Sequence, residues 1–403
     1  MNAPSLQKPG LFGHRQDNPL HRALLAVHKL ARLPAAVVLA ALLLAALAQG
    51  LWWHWLAGAG PALAGTTLYL GFALADWAML AWLPRRGRSY GPPTPPLLML
   101  SVARWGLDTG LGMLTWAGLP AGWTLLAALA LNATLSLLAV YATWIEPFRL
   151  GVTHLTVSTD RLPTGTRLRL VQLSDVHMER ATPRDREVLQ RVKELNPDLI
   201  LLTGDFLNLS YVGEPTAMQH FRAWAGQLQA KRGVFAIRGT PPVDPEHLMG
   251  PLFEGLPIRL LHDEHVVLPV GDGALVIAGV GAGMTLDEDR ARFRRTFADI
   301  PRQGFLLLLY HLPDLMPEAV TEGVDLYLAG HTHGGQIRLP LFGAILTSSR
   351  YWKRYERGCY KQGRTTLYVS RGLGMEGMAA PRVRFLCPPE IVCIDVEGNH
   401  SPQ

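Results

Sequence analysis

Residues 325–336 read Asp325-Leu326-Tyr327-Leu328-Ala329-Gly330-His331-Thr332-His333-Gly334-Gly335-Gln336. The first five have the look of a short buried strand bounded by a turn signal. The next seven carry two imidazoles in a Gly-rich loop, where packing gives little reason for them. Working outward, the same junction recurs. Phe305–Tyr310 runs into His311-Leu312-Pro313, Leu168–Leu173 into Ser174-Asp175-Val176-His177, and Asp198–Thr203 into Gly204-Asp205. Further apolar runs at Val234–Ile237, Leu275–Val280, Thr366–Val369 and Ile391–Val396 also read as strands. Polar-apolar patterns of helical period fill the spaces at Arg184–Leu195, Thr216–Ala230, Leu286–Ala298 and Asp314–Thr321. The alternation predicts an α/β domain over residues 151–403.

In such a sheet, groups at the carboxyl ends of strands converge on one crevice. Two Asp and four His make a hard-to-borderline ligand set suited to Mn, Zn or Fe, in one or two sites. Two divalent metals ~3.5–4 Å apart clamp the attacking and leaving oxygens of a phosphoryl displacement and supply a hydroxide at neutral pH. Each fragment alone is weak evidence. Their order together is specific.

That order resembles the calcineurin-like metallophosphoesterase superfamily, in its membrane-associated bacterial YkuE/YaeI-like phosphodiesterase branch. The resemblance runs from about Leu168 to Val396 and includes Gly330-His331-Thr332-His333-Gly334-Gly335-Gln336-Ile337-Arg338-Leu339-Pro340 and the tail Val383–Ile391. It implies a two-sheet β-sandwich flanked by helices, with a dinuclear centre at one end. By that analogy Asp175, His177 and His333 hold the first metal, Asp205 bridges, and His311 and His331 hold the second. A metal-activated hydroxide then attacks phosphorus, with Asp205 and His331 among the catalytic groups. The implied substrate is a phosphate ester, and lipid-linked or nucleotide-linked esters are known in the branch.

One motif departs from the family. Where the pattern calls for Gly-Asn-His-Asp/Glu, the chain has Gly239-Thr240-Pro241-Pro242. Thr240 offers a hydroxyl where an amide ligand is expected, and Pro241 offers no side-chain donor. Losing one preorganised donor costs ~10²–10³ in rate, and a weakened metal site ~10–100-fold in affinity. Two readings follow: a weakened or specialised esterase, or a silent relative serving as a binding or regulatory module. His247, His262 and His265 are the candidates to replace the missing groups.

The 403-residue chain carries 38 Lys+Arg against 32 Asp+Glu. Ten basic and four acidic residues lie in 1–150, and 28 of each in 151–403, so the net +6 belongs to the first part. A domain without net basic charge argues against a nucleic-acid partner. The first part contains four apolar stretches, 33–53, 60–83, 97–119 and 121–145, each near the ~20 residues that span a hydrocarbon core. These predict a basic N-terminal segment at 1–32 and a four-helix transmembrane domain at 33–150. Arg85, Arg86 and Arg88 follow the second stretch, while the connections after the first and third carry no Lys or Arg. The bias predicts a multi-pass protein of the bacterial inner membrane with both termini and the α/β domain cytoplasmic.

Asp76, Arg104 and Asp108 are the charges inside these stretches, and Arg104 and Asp108, four apart, are expected to pair. Cys359, Cys387 and Cys393 lack zinc-ligand spacing and read as reduced, packed thiols. Arg290, Arg292, Arg294 and Arg295 follow Asp287-Glu288-Asp289. They read either as a solvated face with intrahelical pairs or as a contact for a headgroup or phosphate.

Overall fold

The computed structural model describes residues 30, 32–378 and 382–399. Most of the expected basic segment 1–32 lies outside the described residues, including His14, His21 and His28. Two compact units emerge, one formed chiefly by residues 32–145 and the other chiefly by 146–376 and 383–399.

The first unit is helical: α1 (Ala35–Ala57), α2 (Ala59–Trp82), α3 (Thr94–Trp116) and α4 (Ala121–Val140). Its pattern is the reverse of a soluble bundle. Leu44, Leu63 and Leu137 face outward, while Ala46, Gly65, Ala73, Ser101 and Ala128 are buried between helices. Small residues inside and leucines outside suit a lipid surround. Three segments, Ala35–Ala57, Ala59–Arg86 and Ala121–Phe148, are long and apolar enough to cross a membrane. The expected span at 97–119 is helical as α3, but Arg104, Asp108 and its prolines and glycines leave it less apolar than the others.

The expected Arg104–Asp108 pair is replaced by a longer-range one. Arg104 forks onto Asp76 with two 2.8 Å bonds. It also donates to the Asn132 carbonyl and Oδ1 and to Ser136 Oγ. Asp108 accepts from Asn132 Nδ2 at 2.7 Å. A fork matches a carboxylate on a facing helix better than one a turn along its own.

In the second unit, one six-stranded sheet has the spatial order β1 (Gly151–Thr159), β14 (Glu390–Gly398), β2 (Arg167–Leu173), β3 (Leu199–Leu202), β4 (Val234–Ile237) and β5 (Arg259–Leu261), and the other β12 (Gly358–Gln362), β13 (Thr365–Val369), β9 (Leu326–Ala329), β8 (Phe305–Tyr310), β7 (Gly273–Val280) and β6 (Glu264–Val270). Five strands carry the site: β2 (Arg167–Leu173), β3 (Leu199–Leu202), β4 (Val234–Ile237), β8 (Phe305–Tyr310) and β9 (Leu326–Ala329). β2, β3 and β4 are mutually parallel, as are β8 and β9. Both faces of these strands are covered, which is why they read as continuous apolar runs. Leu170, Leu199, Leu201 and Ile237 of the first sheet meet Ile277, Leu307, Leu309 and Leu328 of the second in a shared core. On the opposite faces, Leu173, Ile200 and Leu202 pack on Val188, Phe221 and Trp224, while Leu306, Leu308 and Tyr310 pack on Phe293, Phe297 and Met316. The result is a mixed α/β fold in which helices flank two face-to-face sheets.

Gly151–Thr159, Glu264–Val270 and Gly358–Gln362 are strands that the apolar pattern did not predict. All three are half exposed and lie at or next to sheet edges, where alternation is diluted by polar residues.

Candidate metal centre

Each expected ligand follows a strand that delivers it. β2 leads into Ser174-Asp175-Val176-His177, β3 through Thr203-Gly204 to Asp205, β8 directly to His311, and β9 through Gly330 to His331-Thr332-His333. The six side chains form two clusters, Asp175 with His177 and His333, and Asp205 with His311 and His331. All but His331 are almost wholly buried.

The distances show how tightly the groups converge. His177 Nε2 and His333 Nε2 are 3.0 Å apart. His333 Nε2 is 3.4 Å from Asp175 Oδ1. Asp205 Oδ2 lies 3.2 Å from His311 Nε2 and 3.7 Å from His177 Nε2. Asp175 accepts from the His331 backbone N–H at 3.0 and 3.2 Å. His311 Nδ1 donates to the Thr203 carbonyl at 2.6 Å, which aims Nε2 at Asp205. A hydrogen bond of this kind fixes which nitrogen of a histidine is presented to a metal.

The backbone is bent to achieve this. Asp175, His177, Asp205, His331 and His333 have φ of 51°, 45°, 57°, 67° and 51°. Left-handed conformations cost non-glycine residues about 1 kcal/mol or more each and persist only where their surroundings over-determine them. Two glycines make the crowding feasible. A Cβ on Gly239 would lie 2.3 Å from Asp205 N and Oδ1, and one on Gly330 would lie 2.0 Å from Ser174 Oγ.

Charge follows the same geometry. Burial acts first on Asp205 and would raise it, but His311 above all, and then His177 and His331, hold it well below the usual carboxylate range. Burial pushes Asp175 up. Burial would lower His311, yet the Asp205 carboxylate, with Asp175 behind it, pulls it up to about 9. His333 is driven well below its ordinary value by burial and by the neighbouring His177.

Nitrogen and oxygen lone pairs thus converge on one small volume, and His311 Nε2 has no well-formed hydrogen bond there. The residues fit divalent cations: imidazole and carboxylate donors, preset on rigid strand ends.

Thr240 donates through both N and Oγ1 to Asp205 Oδ1, at 2.7 and 2.8 Å. Its hydroxyl is therefore spent on the carboxylate, as a positioning group. The two prolines fill the interior of a turn in which the N–H groups of Val243 and Asp244 reach the Thr240 carbonyl at 2.9 and 2.8 Å, so that neither bond needs a donor from Pro241 or Pro242. Sequence reasoning missed Asp244. It accepts from the backbone N–H groups of Asp205, Phe206 and Gly239 at 2.7, 2.9 and 2.9 Å, and burial followed by the Asp205 charge pushes it up to about 7. Arg384, also missed, is buried and donates to the carbonyls of Arg371, Gly372, Gly374 and Cys387, tying down the loop against Asp175 and His177.

Other expectations sort differently. Among the described residues, His247, His262 and His265 join neither ligand cluster, and His265 lies 3.9 Å from Asp299 instead. Arg290 pairs with Glu318 at 2.6 Å, Arg292 with Asp263 at 2.7 Å, and Arg295 approaches Asp263 at 3.9 Å. Most of that basic helix face is thus matched by carboxylates from other elements, alongside one intrahelical contact, Arg290 to Asp287 at 3.7 Å. Cys387 and Cys393 are buried thiols, whereas Cys359 is exposed, correcting the expectation that all three are packed.

No family model matches the chain. It is 31% identical over 273 residues to the metallophosphoesterase YkuE of Bacillus subtilis, spanning 64% of this chain and 90% of that protein. It is 30% identical over 274 residues to a metallophosphoesterase of Aquifex aeolicus, spanning 63% and 95%. It is also 26% identical over 309 residues to the UDP-2,3-diacylglucosamine pyrophosphatase LpxG of Chlamydia trachomatis, spanning 62% and 91%.

Proposed function

Because this chain belongs to the metallophosphoesterase family, we propose that it is a membrane-anchored, metal-dependent hydrolase of phosphate esters, of phosphodiesterase or pyrophosphatase type. Asp175, His177 and His333 would hold one divalent cation, His311 and His331 a second, with Asp205 between them, and Mn, Zn or Fe suits the set. Such cations supply Lewis acidity, lowering the pKa of water toward neutrality and drawing charge off phosphoryl oxygens. The protein's own part is orientation. Thr240 engages Asp205 Oδ1, so Oδ2 turns to the imidazoles. The Thr203 carbonyl orients His311, and Asp244 braces the backbone under Asp205.

The anchor we propose has four spans within residues 33–150, in a bacterial inner membrane, with both termini and the phosphoesterase domain, 151–403, cytoplasmic. Arg85, Arg86, Arg88 and Arg149, against connections free of Lys and Arg after α1 and α3, support that orientation. A lipid-linked phosphate ester is the substrate class we favour, because an anchored site meets such molecules at raised effective concentration, and because one relative is named for hydrolysing UDP-2,3-diacylglucosamine.

The observation that carries this reading is the convergence of six metal-type ligands on strand ends, five of them in left-handed backbone. The experiment is hydrolysis of bis(p-nitrophenyl) phosphate by the purified full chain in Mn²⁺, with metal content measured alongside. About two ions per chain and turnover that Asp205→Ala abolishes are expected. Neither metal nor turnover would sink the proposal. Metal without turnover would favour the silent binding module. That alternative draws on one fact: Thr240 and Pro241 stand where the family pattern has Asn-His, and the Thr240 hydroxyl is already engaged.

A further inference from the structure

Among the described residues of the α/β unit, nine large hydrophobic side chains are exposed, and six of them lie between Leu339 and Trp352: Leu339, Leu341, Phe342, Ile345, Leu346 and Trp352. Soluble surfaces scatter such residues singly, and a cluster marks a binding surface. Leu339, Leu341 and Phe342 sit on a small hairpin, Arg338–Leu339 paired with Gly343–Ala344, Ile345 and Leu346 follow it directly, and Trp352 shares Lys353 with Phe342. At its tip Leu341 is fully exposed and adopts φ 63°, an unfavourable conformation for a leucine that keeps it turned away from the domain. Lys353 braces the tip, donating to the Phe342 carbonyl, with Nζ 3.2 Å from the Phe342 ring centroid and 5.9 Å from that of Trp352. An apolar tip rimmed by Trp and a Lys is the composition of the bilayer interface, where aromatic rings sit at headgroup level and the ammonium reaches phosphate.

The hairpin is also wired to the metal centre. Arg338 Nη1 donates to the Gly334 carbonyl at 2.9 Å, inside the loop carrying His331 and His333. Its Nη2 pairs with Glu356 at 2.8 Å, and Glu356 in turn accepts from Ala344 N. These bonds tie the base of the hairpin to the loop carrying His331 and His333.

We propose that the 339–346 hairpin inserts into the surface of an anionic lipid bilayer, with Leu341 and Phe342 deepest and Lys353 at the headgroups. The occupant follows from charge complementarity at Lys353 and from the helices of the same chain that are long and apolar enough to cross a membrane. Insertion would hold the His331–His333 loop at the membrane surface, where phosphate esters of lipids lie. That consequence rests on the phosphoesterase reading, whereas insertion itself does not.

The test uses the full chain in a Cys359→Ser background, with Leu341→Cys carrying an environment-sensitive fluorophore, in phosphatidylcholine/phosphatidylglycerol vesicles. Met284→Cys, at an exposed hydrophobic position elsewhere on the unit, serves as the control. Spin-labelled lipids should quench the label at 341 several-fold more than at 284, reporting a depth of about 5–10 Å. Iodide should quench it several-fold less. A Phe342→Asp/Leu346→Asp change should remove the lipid quenching while leaving hydrolysis of soluble bis(p-nitrophenyl) phosphate unchanged. Equal iodide quenching at both sites would overturn the proposal. So would protection from both quenchers that grows with protein concentration, which would assign the patch to a second copy of the chain. Because quenching is read without substrate, failure of insertion is separable from failure of the phosphoesterase reading.

Discussion

Arg104 in the helical unit and Asp205 in the α/β unit are both almost wholly buried, and their surroundings differ in kind. All five N–H groups of Arg104 are engaged: two on Asp76, two on Asn132 and one on Ser136. These residues lie within regular helices. Around Asp205, by contrast, His177 and His311 crowd one carboxylate oxygen, and five of the six converging residues adopt left-handed backbone. A buried charge that is matched and saturated is explained by the fold that contains it. A buried cluster of lone pairs held on costly backbone calls for something the chain does not supply. The first pattern is structural. The second is the pattern expected of a binding site.

Substitution should split the two clusters by readout. Asp205→Ala is expected to lower the metal-dependent rate by about 10³-fold while shifting the melting temperature little, as measured by initial rates and thermal unfolding of one preparation. A rate within a few-fold of the parent would end the distinction. Arg104→Met should do the reverse. It strands the Asp76 carboxylate and should destabilise the helical unit by about 3–5 kcal/mol, with the rate per folded molecule intact. An unchanged unfolding midpoint in detergent would show the network to be dispensable.

Metal titration sharpens the same contrast by one step less. Cations that bind the folded state alone stabilise it by about 2.7 kcal/mol at a hundredfold excess over Kd. Mn²⁺ should therefore raise the unfolding midpoint of the α/β unit, and a chelator should reverse the rise. The Arg104→Met protein should show the same increment, because its lesion lies in the other cluster. Loss of the increment in Asp205→Ala would tie it to the candidate site. An increment that survives in that variant would place the cation elsewhere.

How far this was legible in the sequence depended on whether a residue's role was local. Strands buried on both faces announce themselves as apolar runs, so β2, β3, β8 and β9 could be read directly, with the candidate ligands that follow them. The half-exposed strand Gly151–Thr159 could not, since its pairing with Glu390–Gly398 is set some 240 residues away. Spacing within one helix suggested Arg104 with Asp108, and only the packing of three helices produced Asp76 as the partner. Asp244 was invisible for a related reason. Its value lies in three backbone N–H groups brought together by two loops, and nothing in Pro242-Val243-Asp244-Pro245 encodes that meeting. Exposure of the 339–346 hairpin was hidden too, because Leu, Phe and Ile in a row look the same whether they face a core or a membrane.

The smallest expected effect bears on the residue where sequence and structure diverge most. By pattern, Thr240 is a poor substitute for an asparagine ligand. By geometry, it is one of the groups that set the orientation of Asp205, since its Oγ1 and N both bond Oδ1. Thr240→Val keeps the shape and the N–H bond and removes the hydroxyl alone. A hydrogen bond to a charged acceptor contributes about 1.5–3 kcal/mol, so the variant should lose about tenfold or more in rate and require more Mn²⁺ for half-activation. Thr240→Ser should restore most of both. If the valine variant matched the parent in rate and in Mn²⁺ requirement, the hydroxyl would be idle and Asp205 would owe its orientation to backbone alone. If instead Thr240→Asn/Pro241→His raised the rate many-fold, the loop would be a weakened family site rather than one rebuilt around a different support for its central carboxylate.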